Sequence, residues 1–128
     1  MAPIANLLVI RSDDIHRAVL FYQAMGMTFD LHSHGKGPKH YACETAGFVF
    51  EIYPKRSEKP GTEGTRLGFR VNDVDQVVGK LREIQATIVT EPADTEWGRR
   101  AVAKDFDGHT VELVTPSRAH EACRGVEK

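Results

Sequence analysis

The chain has 128 residues, enough for one compact domain with a real core. Apolar residues make up 41% and charged residues 27%, a globular balance, and the net charge of -1 gives no general attraction to nucleic acid or to an anionic membrane. No apolar run reaches the roughly 20 residues that span a bilayer, and Met1-Ala2-Pro3-Ile4 lacks the cationic-then-apolar pattern of a signal peptide. The expectation is a cytoplasmic protein with neither nucleic acid nor membrane as partner. Cys43 and Cys123 have no zinc-type spacing and read as two unpaired thiols in a reducing compartment.

Taken in chain order, the elements repeat. Leu7-Leu8-Val9-Ile10 reads as an opening strand. Asp14 is a candidate N-cap for a helix whose apolar positions are Ile15, Ala18, Val19, Tyr22 and Met25, and Gly26 ends it. Three strands follow, near Thr28 to His34, His40 to Glu44 and Phe48 to Pro54, the last two joined at Ala46-Gly47. Lys55 to Gly64 is polar, holds Pro60, Gly61 and Gly64, and reads as a linker.

The pattern then starts again. Leu67 to Val71 opens it, Asp73 caps a helix with Gln76 placed for a capping box, and Val74, Val77, Val78, Leu81 and Ile84 form the apolar stripe. Gln85 stands where the first unit has Gly26. The last three strands fall near Thr87 to Glu91, Arg99 to Lys104 and His109 to Thr115, with a tight turn expected at Asp107-Gly108. Leu7 and Asp14 recur 59 positions on as Arg66 and Asp73, and Glu51 recurs 61 positions on as Glu112. Repeats of this length are paired supersecondary units. Ser117 to Lys128 has little apolar content and reads as a surface helix or loose tail.

Asp14-Ile-His-Arg-Ala-Val-Leu-Phe-Tyr22 with Gly26, and Asp105-Phe-Asp-Gly-His-Thr-Val-Glu-Leu113, resemble the first-helix and closing motifs of the vicinal oxygen chelate superfamily, which holds glyoxalase I, bleomycin-resistance proteins and extradiol dioxygenases. The resemblance spans residues 4 to 116. It implies an α+β fold of two βαβββ modules, residues 4–54 and 65–116, in one glyoxalase-like domain over residues 1–116, with paired curved mixed sheets around a cavity. It also implies a homodimer. Metal-dependent members take one ligand, usually His, from each first strand and one Glu from each last strand. Here Glu51 and Glu112 keep the Glu positions, but Leu7 (or Asn6) and Arg66 stand at the others, a set without the nitrogen donor that suits zinc or nickel.

Each glutamate sits among apolar neighbours, so it faces solvent or a polar cavity, and its recurrence favours the cavity. Glu51 and Glu112 are therefore the candidate catalytic carboxylates, and the metal ligands if an ion is held. Arg66, at a ligand position, is expected to be neutralised by one of them or by an anion. Strand alternation puts Tyr53 beside Glu51, and His40 opens a neighbouring strand. Trp97, Arg99 and Arg100 sit at a loop-to-strand junction, which suits a rim where the Trp stacks on a ligand and an Arg, with Arg99 the candidate, pairs an anion; it suits equally a Trp97 packed in a dimer seam with both arginines solvated. His32 and His34 share a strand face; such a pair can bind a metal, but strand-end histidines are more commonly solvated.

The expectation is a protein that binds a small anionic or aromatic molecule between the modules without a metal cofactor. The alternative is a lyase, isomerase or dioxygenase that uses a divalent metal ion on a vicinal-oxygen substrate.

Overall fold

The structure is a computed structural model that describes residues 1–117. Cys123 and the rest of the expected tail lie outside the described residues. The chain divides into two compact units, Met1–Glu63 and Gly64 onward. The first contains β1 (Leu7–Ser12), α1 (Ile15–Ala24), β2 (Asp30–His32), β3 (His40–Thr45) and β4 (Phe48–Pro54). The second contains β5 (Arg66–Arg70), α2 (Val74–Glu83), β6 (Thr87–Thr95), β7 (Gly98–Lys104) and β8 (Thr110–Pro116). Their sheets have the same order, β1-β4-β3-β2 and β5-β8-β7-β6. In each, the opening strand lies parallel to the last and the remaining pairs are antiparallel. This is the α+β fold of two βαβββ units that the repeat implies. Among the described residues no helix is long and apolar enough to cross a membrane.

One face of each sheet is dry because a helix covers it. Ile15, Ala18, Val19, Phe21 and Tyr22 of α1 are buried with Ile10, Cys43, Phe50 and Ile52. Val74, Val77, Val78 and Leu81 of α2 are buried with Leu67, Ala101, Ala103, Val111 and Leu113. The helix starts are fixed as expected. The Asp14 carboxylate accepts from the His16 and Arg17 amides at 3.1 and 3.2 Å, and Asp73 accepts from the Gln76 amide at 3.1 Å.

Three boundaries differ from the sequence reading. β2 is only three residues long. β6 runs on to Thr95 through register shifts, and Pro92 is tolerated because β6 is an edge strand. The loop between β7 and β8 spans residues 105–109 and is no two-residue turn: the buried Asp105 carboxylate accepts from the Asp107 and His109 amides at 3.0 and 2.9 Å and pairs with His109 Nδ1 at 2.8 Å. That internal wiring is stronger than the Asp-Gly turn preference.

The helix stops are alike despite unlike residues. Gly26 has φ +104° and Gln85 has φ +63°, both left-handed. A side chain there costs about 1–2 kcal/mol, partly offset because glycine frees the unfolded chain. Gln85→Gly should therefore raise stability by about 0.5–1 kcal/mol in urea denaturation, and Gly26→Gln should lower it.

Candidate functional site

Strand register sets each glutamate. Val9 of β1 lies opposite Glu51, and Gly68 of β5 lies opposite Glu112, so the two carboxylates occupy equivalent places in their sheets. Alternation turns Phe50 and Ile52 under α1 and Val111 and Leu113 under α2. Glu51 and Glu112 are left on the open faces.

In the first unit, Glu51 meets His40. The His40 ring is 3% exposed and its Nε2 stands 3.6 Å from a Glu51 carboxylate oxygen. Tyr53 stacks on that ring, centroids 4.1 Å apart and planes within 6°, and the Arg11 guanidinium lies 5.0 Å over Tyr53. His40, Glu51 and Tyr53 are thus brought together as the sequence suggested.

In the second unit, Glu112 lies between two arginines. Arg66 Nε donates to one carboxylate oxygen at 2.5 Å; Arg100 donates to the other from Nε at 3.0 Å and Nη2 at 2.5 Å. The hydrogen bond from Arg66, then that from Arg100, holds the Glu112 carboxyl below the ordinary glutamate value. The same contact raises Arg66. The expected neutralisation of Arg66 by Glu112 is present, although Arg66 itself stays largely exposed.

Beside this cluster lies a cavity of about 340 Å³ lined by Gly68, Phe69, Arg70, Trp97, Glu112, Val114 and Pro116, a volume at the small end of ligand pockets. Gly68 forms its floor: a Cβ there would meet nothing within 4 Å, so the missing side chain leaves open space directly opposite Glu112. Trp97 projects at the rim, 56% exposed. Gly98 after it must be glycine, since it has φ +129° and a Cβ would press within 2.2 Å of the Thr115 carbonyl oxygen.

Arg99 does not join this group. It pairs with Asp75 of α2 at 2.9 and 3.0 Å and with Asp94 at 3.3 Å, and these contacts raise its pKa and lower that of Asp75. Arg100 is the arginine that reaches Glu112. The difference is one residue of strand, which reverses the face. A signal existed: Arg100 is the repeat partner of His40, and Arg70 that of Arg11.

The ligand set that the motif resemblance implies does not fit a divalent ion. Leu7 offers no donor atom, and Arg66 and Arg100 engage both oxygens of Glu112.

Two βαβββ units, each a mixed sheet beneath one helix, define the fold class. Residues 4–113 match the model of the Glyoxalase/Bleomycin resistance protein/Dioxygenase superfamily, and the chain belongs to it. An uncharacterised protein of Mycolicibacterium smegmatis is 21% identical over 87% of this chain and 92% of its own. TnmS3, an antibiotic binding protein from Streptomyces sp. CB03234, is 26% identical, with TM-score 0.71 over 91% of this chain and 98% of its own. Oxidase ChaP-H2 has TM-score 0.71 at 22% identity over 91% and 96%.

Glu112→Gln should cost about 1 kcal/mol near neutral pH, since the ion pairs are partly solvated. A depressed folded-state value gives stability that is complete above the ordinary glutamate pKa of 4.5 and lost as pH falls through the lower folded value. Urea midpoints of wild type and variant should therefore stay apart above the ordinary glutamate value of 4.5 and converge as pH falls below it.

Proposed function

We propose that this protein binds a small planar anion on the open face of the second unit, without a metal. The observation that carries this reading is the cavity beside Glu112, where Trp97 and Arg70 share a lining over the side-chain-free floor of Gly68. An exposed indole offers an apolar face to an aromatic ring. Arg66 and Arg100 outweigh the single charge of Glu112, so the neighbourhood keeps a positive excess for a carboxylate or phenolate. A guanidinium has five donors in a fixed fork; Arg66 uses one on Glu112 and Arg100 uses two. The antibiotic binding protein among the structural relatives supports sequestration over turnover. Self-association is part of the reading: Leu7, Leu20 and Val89 leave apolar surface for a second copy to cover.

Trp97 is the chain's only tryptophan, so its fluorescence reports on this site alone. Titration with naphthoate should quench it saturably, and the neutral naphthamide should bind more weakly. Arg70→Ala should weaken naphthoate by about 10-fold, the loss of one charge-assisted contact. Gly68→Leu should fill the floor and abolish the quenching. Equal binding of naphthoate and naphthamide, or a Gly68→Leu protein that still binds, would contradict the proposal.

A further inference from the structure

We propose that His40 and Glu51, together with His32 and His34, form a transition-metal site on the open face of the first unit's sheet. It shares only Glu51 with the ligand set the superfamily motifs imply: Leu7, Asn6, Arg66 and Glu112 take no part, and the three imidazoles stand outside that set.

The first argument is the tautomer of His40. Its Nδ1 lies 3.3 Å from the Pro38 carbonyl oxygen, which can only accept, so Nδ1 carries the proton. The Nε2 lone pair then faces a Glu51 carboxylate oxygen at 3.6 Å. With the ring neutral, two acceptors face each other in a half-buried place, an arrangement that a metal cation between them satisfies. The Tyr53 hydroxyl, 3.4 Å from the same nitrogen, offers only a long hydrogen bond. Two donor atoms on one ion, each at about 2.1 Å and near the tetrahedral angle, stand about 3.4 Å apart. The His40–Glu51 separation is close to that. A histidine ligand whose other nitrogen donates to a backbone carbonyl is the usual oriented form, and stacking on Tyr53 holds the ring further.

The second argument is the triangle of imidazoles. Register puts His32 opposite His40 on the neighbouring strand. The turn after β2 closes with the Gly37 amide donating to the His34 carbonyl at 2.8 Å, which returns His34 to the same place. The ring centroids are 5.6 Å apart for His32 and His34, 5.7 Å for His32 and His40, and 5.6 Å for His34 and His40. The planes of His32 and His34, and of His32 and His40, lie within 20° of parallel, so the three rings are gathered but become a ligand set only when His32 and His34 turn a nitrogen inward. Among the described residues only Asp105, Asp107 and His109 already bring three donor atoms within 4.8 Å of one another. The imidazole triangle therefore closes by side-chain rotation, for which the exposed His34 and half-buried His32 have room. Three imidazoles and a carboxylate suit Zn(II), Co(II), Ni(II) or Cu(II), not Mg(II) or Ca(II).

The experiment is equilibrium dialysis and calorimetry of the untagged full chain with Zn(II) and with Co(II), each metal alone. One ion per chain is expected, with visible d–d bands for Co(II) of four-coordinate intensity. His34→Ala and His32→Ala should each weaken binding by about 100-fold or more, beyond what loss of an orienting neighbour does. Glu112→Gln and Asp107→Asn should leave the affinity unchanged. His40 is buried and its replacement can unfold the unit, so the exposed His34 carries the decisive variant, with circular dichroism checking the fold. No binding at micromolar metal, binding that survives the His32→Ala/His34→Ala double variant, or binding lost on Asp107→Asn would each overturn the proposal.

Discussion

A strand covered on one side by a helix has only one outlet for a polar side chain. Both sheets live under that constraint. Phe50 and Ile52 lie beneath α1, and Val111 and Leu113 beneath α2, because burial there keeps them from water. Glu51 and Glu112, each between such a pair, are thereby turned to the opposite face. The parallel pairing of first and last strands then decides what stands next to each carboxylate: Val9 in one unit and Gly68 in the other. A slip of one residue in either ladder would bury the charges and expose the core, so the register is held by far more than the site itself.

From the same starting position the two units treat their glutamates differently. His40 and Arg100 are repeat equivalents, and each reaches its own glutamate. Imidazole can gain or lose a proton and can bind a metal ion; guanidinium can do neither under ordinary conditions. The second unit has committed its carboxylate to an ion-pair network with two arginines that frames an open floor. The first has set its carboxylate beside an imidazole. One duplicated scaffold thus carries two kinds of chemistry, set by what faces the carboxylate and not by the carboxylate.

Much of this was legible in the residues. The offsets of 59 and 61 positions are a backbone fact written in side chains, and they located both helices, their caps and both glutamates. Tyr53 followed from alternation within a single strand, and His40 from its place at the start of the strand beside it. Arg99 was chosen over Arg100 because local alternation says which residues share a face, but not which face a neighbouring strand presents. That needs the ladder, a non-local property. The histidine triangle was hidden for a similar reason: His32 and His34 are adjacent in sequence, and only the β2–β3 register supplies the third ring. The Asp107-Gly108 turn misled because Asp105 and His109, four residues apart, reorganise the loop around a buried hydrogen bond.

The stretch between the units has its own consequence. It was expected to be a plain linker, yet Thr62 Oγ1 accepts from the Arg11 amide at 2.9 Å and Glu63 pairs with Lys55 at 2.8 Å, so it folds back onto the first unit up to its final residue. Every strand pair and every helix cap closes on one side of the Glu63–Gly64 bond. A chain opened there would sever no ladder among the described residues, which makes this peptide bond the natural cut for expressing the protein as two complementing fragments.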